Sequence, residues 1–252
     1  MYSGTDHSGW NHFWSTRSKP LTIRQLSPFY KNFTVMMNII ARTGNALSRR
    51  RVPEQELSSR SVLEVGAGRG TLSELFHQKG FRTFATDLED RLLYTHPAFI
   101  KNDILENAPF CNNKFDITFT YGLLEHFRWK DKLTIIQRCL DMTKGGGVSI
   151  HYVVPKKLTN IREDRSVYRD NCLDLTKNFN SHNFGSDFCS GGIKFVFPAW
   201  GNGWECSEFK SKGFMMWFTK YTELDKFIQQ ETIKSIEQNM LMHNKVMKEL
   251  GL

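Results

Sequence analysis

The chain has 252 residues, 40% hydrophobic and 24% charged, which suits one sizeable globular domain with appendages and excludes a disordered or fibrous chain. Its net charge of +8 and pI of about 9.2 are compatible with an anionic partner, while the longest nearly apolar stretch, residues 33–41, is too short to span a bilayer. The five cysteines (Cys111, Cys139, Cys172, Cys189, Cys206) are odd in number and lack the close spacing of a zinc site or dithiol motif, so they read as reduced thiols of a cytoplasmic protein, with no metal expected.

In chain order, residues 1–25 are rich in Trp, His, Ser and Gly without clear periodicity, and carry no basic head followed by an apolar run of the signal-peptide kind. Trp10, Phe13 and Trp14, together with Trp200, Trp204 and Trp217, are either ordinary core or a mobile cover lining an apolar substrate pocket. Ser27-Pro28 reads as a helix start, with Phe29, Phe33, Met36 and Ile40 at helical spacing and Thr43-Gly44-Asn45 as its end. Basic residues crowd this region (Arg17, Lys19, Arg24, Lys31, Arg42, Arg49, Arg50, Arg51, Arg60), either as an ordinary solvated face or as a patch for phosphate-bearing substrate or nucleic acid. Residues 1–59 are expected to form an N-terminal helical cap or lid.

From residue 61 the pattern becomes an alternation of short apolar runs and helix-like stretches. Strands are expected at 61–65, 81–86, 99–104, 115–121 and 148–154, with helices at 71–79 and 131–142. Such alternation implies a parallel sheet covered by helices on both faces. Residues 156–192 are polar and read as an insertion, followed by two more strands at 193–197 and 214–219. A separate C-terminal helix is expected over 222–252, where Thr222 and Asp225 fit a capping box and Ile233, Ile236, Met240 and Met247 keep helical spacing. The main domain is thus placed at 60–221.

The segment Val62-Leu63-Glu64-Val65-Gly66-Ala67-Gly68-Arg69-Gly70 carries the functional argument. A buried strand runs into a glycine turn that opens a helix, which allows close approach of backbone to ligand beside free helical N–H groups. Asp87 ends the next strand, near the interval at which an acidic side chain grips ribose hydroxyls. A dinucleotide fingerprint would place its third glycine at position 71, where this chain has Thr71, and Glu64 suits an ammonium and sulfonium ligand better than a pyrophosphate.

Glu64 to Gly70 resembles motif I (Asp/Glu-x-Gly-x-Gly-x-Gly) of the class I S-adenosylmethionine (SAM)-dependent methyltransferases. Further matches follow in order: Asp87-Leu88 after the second strand, Asn102-Asp103-Ile104 as the adenine-contacting segment, the fourth strand at 115–119, and Lys144-Gly145-Gly146 before the fifth. The resemblance covers roughly residues 60–155. Asn102 departs from the family's usual Gly, and Met142-Thr143-Lys144 from its Leu-Lys-Pro. It implies a Rossmann-like α/β fold with a mostly parallel seven-stranded sheet, and SAM as cofactor. The residues it implies for cofactor binding are Glu64, Gly66, Ala67, Gly68, Gly70, Asp87, Leu88, Asp103, Ile104 and Tyr121.

Methyl transfer is an in-line displacement, so acceptor-side groups belong at the ends of the fourth and fifth strands. There the chain offers Tyr121-Gly122-Leu123-Leu124-Glu125-His126 and His151-Tyr152. No Asn/Asp-Pro-Pro-aromatic or Pro-Cys segment of nucleic-acid base methylases follows the fourth strand. Leu124-Glu125-His126 instead resembles the Leu-Glu-His of small-molecule methyltransferases, and His151 resembles a fifth-strand His of the cyclopropane-synthase-like group. His126, Glu125 and His151 are therefore the catalytic candidates: His126 is either a general base or, with Glu125, simply a helix opener. Of His151 and Tyr152, on alternate sides of one strand, at most one is expected to face the cleft. The function expected is methyl transfer to an O, N or C atom of a small molecule. The alternatives are a methyltransferase acting on RNA or another macromolecule, and a non-catalytic SAM-binding protein.

Overall fold

The computed structural model describes residues 23–43, 59–153, 188–196, 213–220, 222, 231, 234–238 and 240–242. The Trp10 to Trp14 region, the arginines at 49–51, most of the expected insertion and the loop bearing Trp200 and Trp204 lie outside the described residues.

Helix α1 (Ile23–Thr43) precedes the sheet. It begins upstream of the expected Ser27-Pro28 start, because Ile23 to Leu26 contain no helix breaker. Pro28 therefore lies about one turn inside, where it has no N–H to give the Arg24 carbonyl. The sheet is formed by β1 (Ser61–Val65), β2 (Arg82–Asp87), β3 (Ala98–Lys101), β4 (Phe115–Tyr121), β5 (Thr143–Val153), β6 (Phe188–Val196) and β7 (Gly213–Lys220). Helices α2 (Thr71–Gln78) and α3 (Trp129–Met142) follow β1 and β4. β3 stops earlier than the sequence suggests because Asp103 begins a turn, its carboxylate accepting the Leu105 N–H at 2.8 Å.

The seven strands run in the order β3-β2-β1-β4-β5-β7-β6. β1 to β5 are parallel, and β7 is antiparallel to both β5 and β6. The expected mostly parallel seven-stranded sheet is thus observed. All five residues of β1 are buried, as a central strand covered on both faces requires. Strand order reverses between β1 and β4, which opens a crevice at their carboxyl ends.

Side-chain alternation divides the core. Val62, Ile117, Phe119, Ile150 and Tyr152 pack with Phe33, Met36 and Ile40 of α1 and Leu72 and Phe76 of α2. Leu63, Val65, Phe115 and Met216 pack with Ile135, Ile136 and Leu140 of α3. Phe76 sits at an aromatic junction, its ring centroid 4.9 Å from Phe33, 5.2 Å from Phe81 and 5.3 Å from Phe119. At the amino ends of the strands, Asp116 Oδ2 accepts from the Ser61 N–H and hydroxyl, each at 2.8 Å, and from Lys144 Nζ at 3.0 Å. That cluster ties together β1, β4 and β5 at the end away from the crevice.

Residues 1–220 form one compact unit and 221–252 a second. Of the second, residues 234–238 and 240–242 are helical, with Ile236, Met240, Leu241 and Met242 exposed. Among the described residues no helix is long and apolar enough to cross a membrane.

Candidate cofactor and acceptor site

The turn after β1 has the geometry its glycines were expected to supply. Gly66, Gly68 and Gly70 have φ of 73°, 52° and 70°, left-handed values that cost an L side chain about 1–2 kcal/mol. The Gly66 and Ala67 N–H groups bond the Thr86 carbonyl at 2.9 and 3.2 Å, which ties the turn to the end of β2. A Cβ on Gly66 would stand 2.6 Å from Leu123 Cδ1, so the segment after β4 lies directly against the turn. A Cβ on Gly70 would stand 2.7 Å from Leu92 Cδ2, in the loop after β2.

Asp87 is held at the lip of this crevice. Its Oδ2 accepts the Gly68 N–H at 2.8 Å and its Oδ1 accepts the Leu88 N–H at 2.7 Å. Burial raises its pKa, and these backbone bonds oppose the rise. The Glu89 N–H bonds the same carboxylate, so three of its roughly four acceptor sites are used by the backbone and one is left for a ligand hydroxyl. The residue as a whole is half-buried.

Glu64 is only 3% exposed and serves the protein before any ligand. Its Oε2 accepts the Ser73 N–H at 3.0 Å and the Ser73 hydroxyl at 2.6 Å. Gly70 opens α2 without a side-chain cap, so Glu64, reaching from β1, supplies the missing acceptor in the first turn of the helix. Burial pushes its carboxyl up to about 8 despite both bonds to Ser73.

Asp103 and Ile104 lie in the turn after β3, next to β2 at the same end of the sheet. The Asn102 N–H bonds the Asp87 carbonyl at 2.9 Å, which sets the two acidic positions beside one another along the crevice. Asn102, the departure from the family's glycine, uses its side chain to bond the Asn107 carbonyl at 3.0 Å and so closes the turn. Tyr121 ends β4, but its ring turns towards α1. It stacks on Tyr152 at 4.4 Å, lies 5.4 Å from Phe29, and its hydroxyl accepts from Asn32 Nδ2 at 2.6 Å. What Tyr121 offers the crevice is therefore its main chain, which continues into Gly122 at φ 69°.

The acceptor-side candidates separate. Leu124–His126 forms one turn of 3-10 helix, with Glu125 buried and His126 half-buried. Glu125 is close enough to Tyr121 to raise its pKa further, after burial and Tyr152. His151 lies elsewhere: it is fully buried on the α3 side, with Nδ1 3.0 Å from the Thr120 hydroxyl and Nε2 3.0 Å from the Ser149 hydroxyl. Burial lowers its pKa to about 3, so it stays neutral. Tyr152 is 1% exposed, so neither of these fifth-strand neighbours opens to solvent.

Ser73, Asn32 and Arg138 were missed by sequence reasoning. Ser73 had a faint signal, a hydroxyl in the first turn of a helix entered through glycine. Asn32 and Arg138 had none, because their contacts cross 89 and 34 residues of chain. Among the described residues no group of three or more His, Cys, Asp or Glu is placed to hold a metal ion.

Strand order, the antiparallel seventh strand and the glycine turn at the switch point together define the class I methyltransferase fold. Residues 62–147 match the family model described as a methyltransferase domain. Over that stretch, about a third of the chain, the sequence is similar to a methyltransferase domain, the resemblance that Glu64 to Gly70 carries. Solved structures agree at the level of fold. Magnesium protoporphyrin IX methyltransferase from Synechocystis, with bound SAH, superimposes with a TM-score of 0.54 at 14% identity, covering 85% of this chain and 95% of that one. A SAM-dependent methyltransferase from Archaeoglobus fulgidus gives 0.53 at 16% identity, covering 75% and 99%. One from Clostridium acetobutylicum gives 0.51 at 14% identity, covering 86% and 100%. No curated protein sequence matches the chain.

Proposed function

We propose that this protein binds SAM at the carboxyl ends of β1, β2 and β4 and transfers its methyl group to an O, N or C atom of a small molecule. The observation that carries the reading is the turn of three left-handed glycines, one of which gives its N–H to the Asp87 carboxylate. A nucleoside needs both parts, backbone bare enough to lie against and a fixed acceptor for a ribose hydroxyl.

SAM, when bound, supplies the electrophilic methyl group. Asp87 receives a ribose hydroxyl, Leu88 flanks it, and Asp103 with Ile104 takes the adenine. Gly66 to Gly70 lies against the amino-acid moiety, and Glu64 faces its ammonium group from beneath α2. The segment from Tyr121 to His126 packs against Gly66 through Leu123, and we assign it to the side where the transferable methyl group would lie. His126, half-buried at that edge, is the group we assign to remove a proton from the acceptor, with Glu125 as its neighbour. His151 we assign to the core, as a neutral strut between β4 and β5. The small-molecule reading rests on Leu124-Glu125-His126 and on the absence of base-methylase segments after β4.

Calorimetric titration of the purified chain with S-adenosylhomocysteine tests the cofactor site. Saturable one-to-one binding is expected, and no binding would end the proposal. Methyl-labelled SAM offered with a panel of phenols, amines and carboxylic acids, alongside RNA, then separates the acceptor classes. Label transferred to RNA alone would overturn the small-molecule assignment, and binding without transfer to any acceptor would favour a non-catalytic SAM-binding protein.

A further inference from the structure

We propose that Arg138, on α3, is a positioning residue for the adenine end of the cofactor site. The inference rests on the SAM reading and adds a residue that the family motifs do not include.

The turn after β3 is held in shape by its own chain. Asp103 Oδ1 accepts the Leu105 N–H at 2.8 Å, the Asp103 carbonyl accepts the N–H groups of Glu106 and Asn107 at 3.0 and 3.2 Å, and Asn102 bonds the Asn107 carbonyl. These bonds fix the form of the turn but not its place on the sheet. Among the ties that set its place are the Asn102 N–H on Asp87, the Ile104 side chain in the core beside α3 with Leu105 packed against that core, and Arg138. The guanidinium of Arg138 donates from Nη1 to the Ile104 carbonyl and from Nη2 to the Glu106 carbonyl, the latter at 3.1 Å.

The bond to Ile104 has a specific consequence. The Ile104 carbonyl and the Leu105 N–H belong to one planar peptide unit. Arg138 grips that unit by its oxygen, while its N–H holds the Asp103 carboxylate. Orientation therefore passes from α3 through a single rigid plane to the acidic side chain proposed to face the base. A planar fork with two parallel donors suits two carbonyls; a lysine offers one flexible point and cannot hold both.

The test is calorimetric and uses two ligands, S-adenosylhomocysteine and S-inosylhomocysteine, which differ only in the base edge. The protein is expected to prefer the adenosyl ligand. In Arg138→Met, which keeps most of the stem, adenosyl affinity is expected to fall by roughly tenfold, about the worth of one or two lost hydrogen bonds, and the preference between ligands to shrink towards one. Arg138→Lys is expected to fall between, and carries the test if the methionine variant does not fold. Asp87→Ala is the control: it weakens both ligands alike and leaves their ratio unchanged. A folded Arg138 variant that keeps both the affinity and the ratio would overturn the role of Arg138. Failure of the unaltered protein to bind either ligand would overturn the cofactor reading itself, a separate outcome.

Discussion

Asp87 accepts three backbone N–H groups with its carboxylate, so the effect of its removal on ligand binding is read beside an unfolding curve of the same variant. Asp87→Ala is expected to weaken S-adenosylhomocysteine binding by about 1.5–3 kcal/mol, the range for a charged hydrogen bond, read by calorimetry. Gly68→Arg forces a side chain onto a residue at φ 52° in the turn itself; loss of binding in a folded variant is expected, and unchanged affinity would displace the site. The turn at Gly66 to Gly70 was legible in the sequence because its three glycines fall in one contiguous run, whose spacing departs from that of a dinucleotide fingerprint. The side chains that brace the site were not. Nothing in the local pattern around Asn32 or Arg138 reports a partner brought in only by folding, and the burial of His151 between Thr120 and Ser149 depends on which face of β5 meets α3.

At the scale of elements, apolar packing fastens α1 to the sheet, and a buried polar contact runs from Asn32 to the Tyr121 hydroxyl. Asn32→Ala leaves that hydroxyl without its donor and is expected to cost about 1–3 kcal/mol of unfolding free energy, measured by urea denaturation. Gly147 shows a different constraint: a Cβ there would stand 2.7 Å from the Asp116 carbonyl oxygen and 2.9 Å from that of Lys144, both main chain. Gly147→Ala is therefore expected to destabilise by roughly 1–3 kcal/mol, as overpacking does, without changing the ligand site. The central strands β1 and β4 were readable to the residue because strands covered on both faces run mostly apolar. Elsewhere the ends were less readable. β3 stops where Asp103 captures a backbone N–H, and β5 starts at Thr143 because pairing with Phe115 draws the glycine segment into the sheet. Both outcomes depend on partners far along the chain.

For the whole molecule, pH acts on two carboxyl groups in opposite senses. Glu64 titrates near 8 in the fold against an ordinary 4.5, so the fold holds the proton more tightly than the unfolded chain. Its contribution to stability is full below about 4.5 and is lost as pH rises through about 8. Asp116 is shifted down by Ser61 and Lys144 against the effect of burial, so its contribution is present above the ordinary 3.8 and is lost as pH falls below it. Unfolding midpoints of the ligand-free protein are expected to decline from pH 6 to 9, and Glu64→Gln, which can still accept from Ser73, is expected to flatten that decline. A cationic amino group arriving over Glu64 favours the ionised form, so ligand uptake at pH 7 is expected to expel a proton, visible as binding enthalpies that vary with the buffer.

The same carboxylate also anchors the opening turn of α2. Once its proton leaves, the oxygen that receives the Ser73 N–H becomes a stronger acceptor, and the start of the helix tightens. Occupancy would then be written into the backbone as slower amide exchange at Ser73, a signal that sits on the far side of the carboxylate from the ligand.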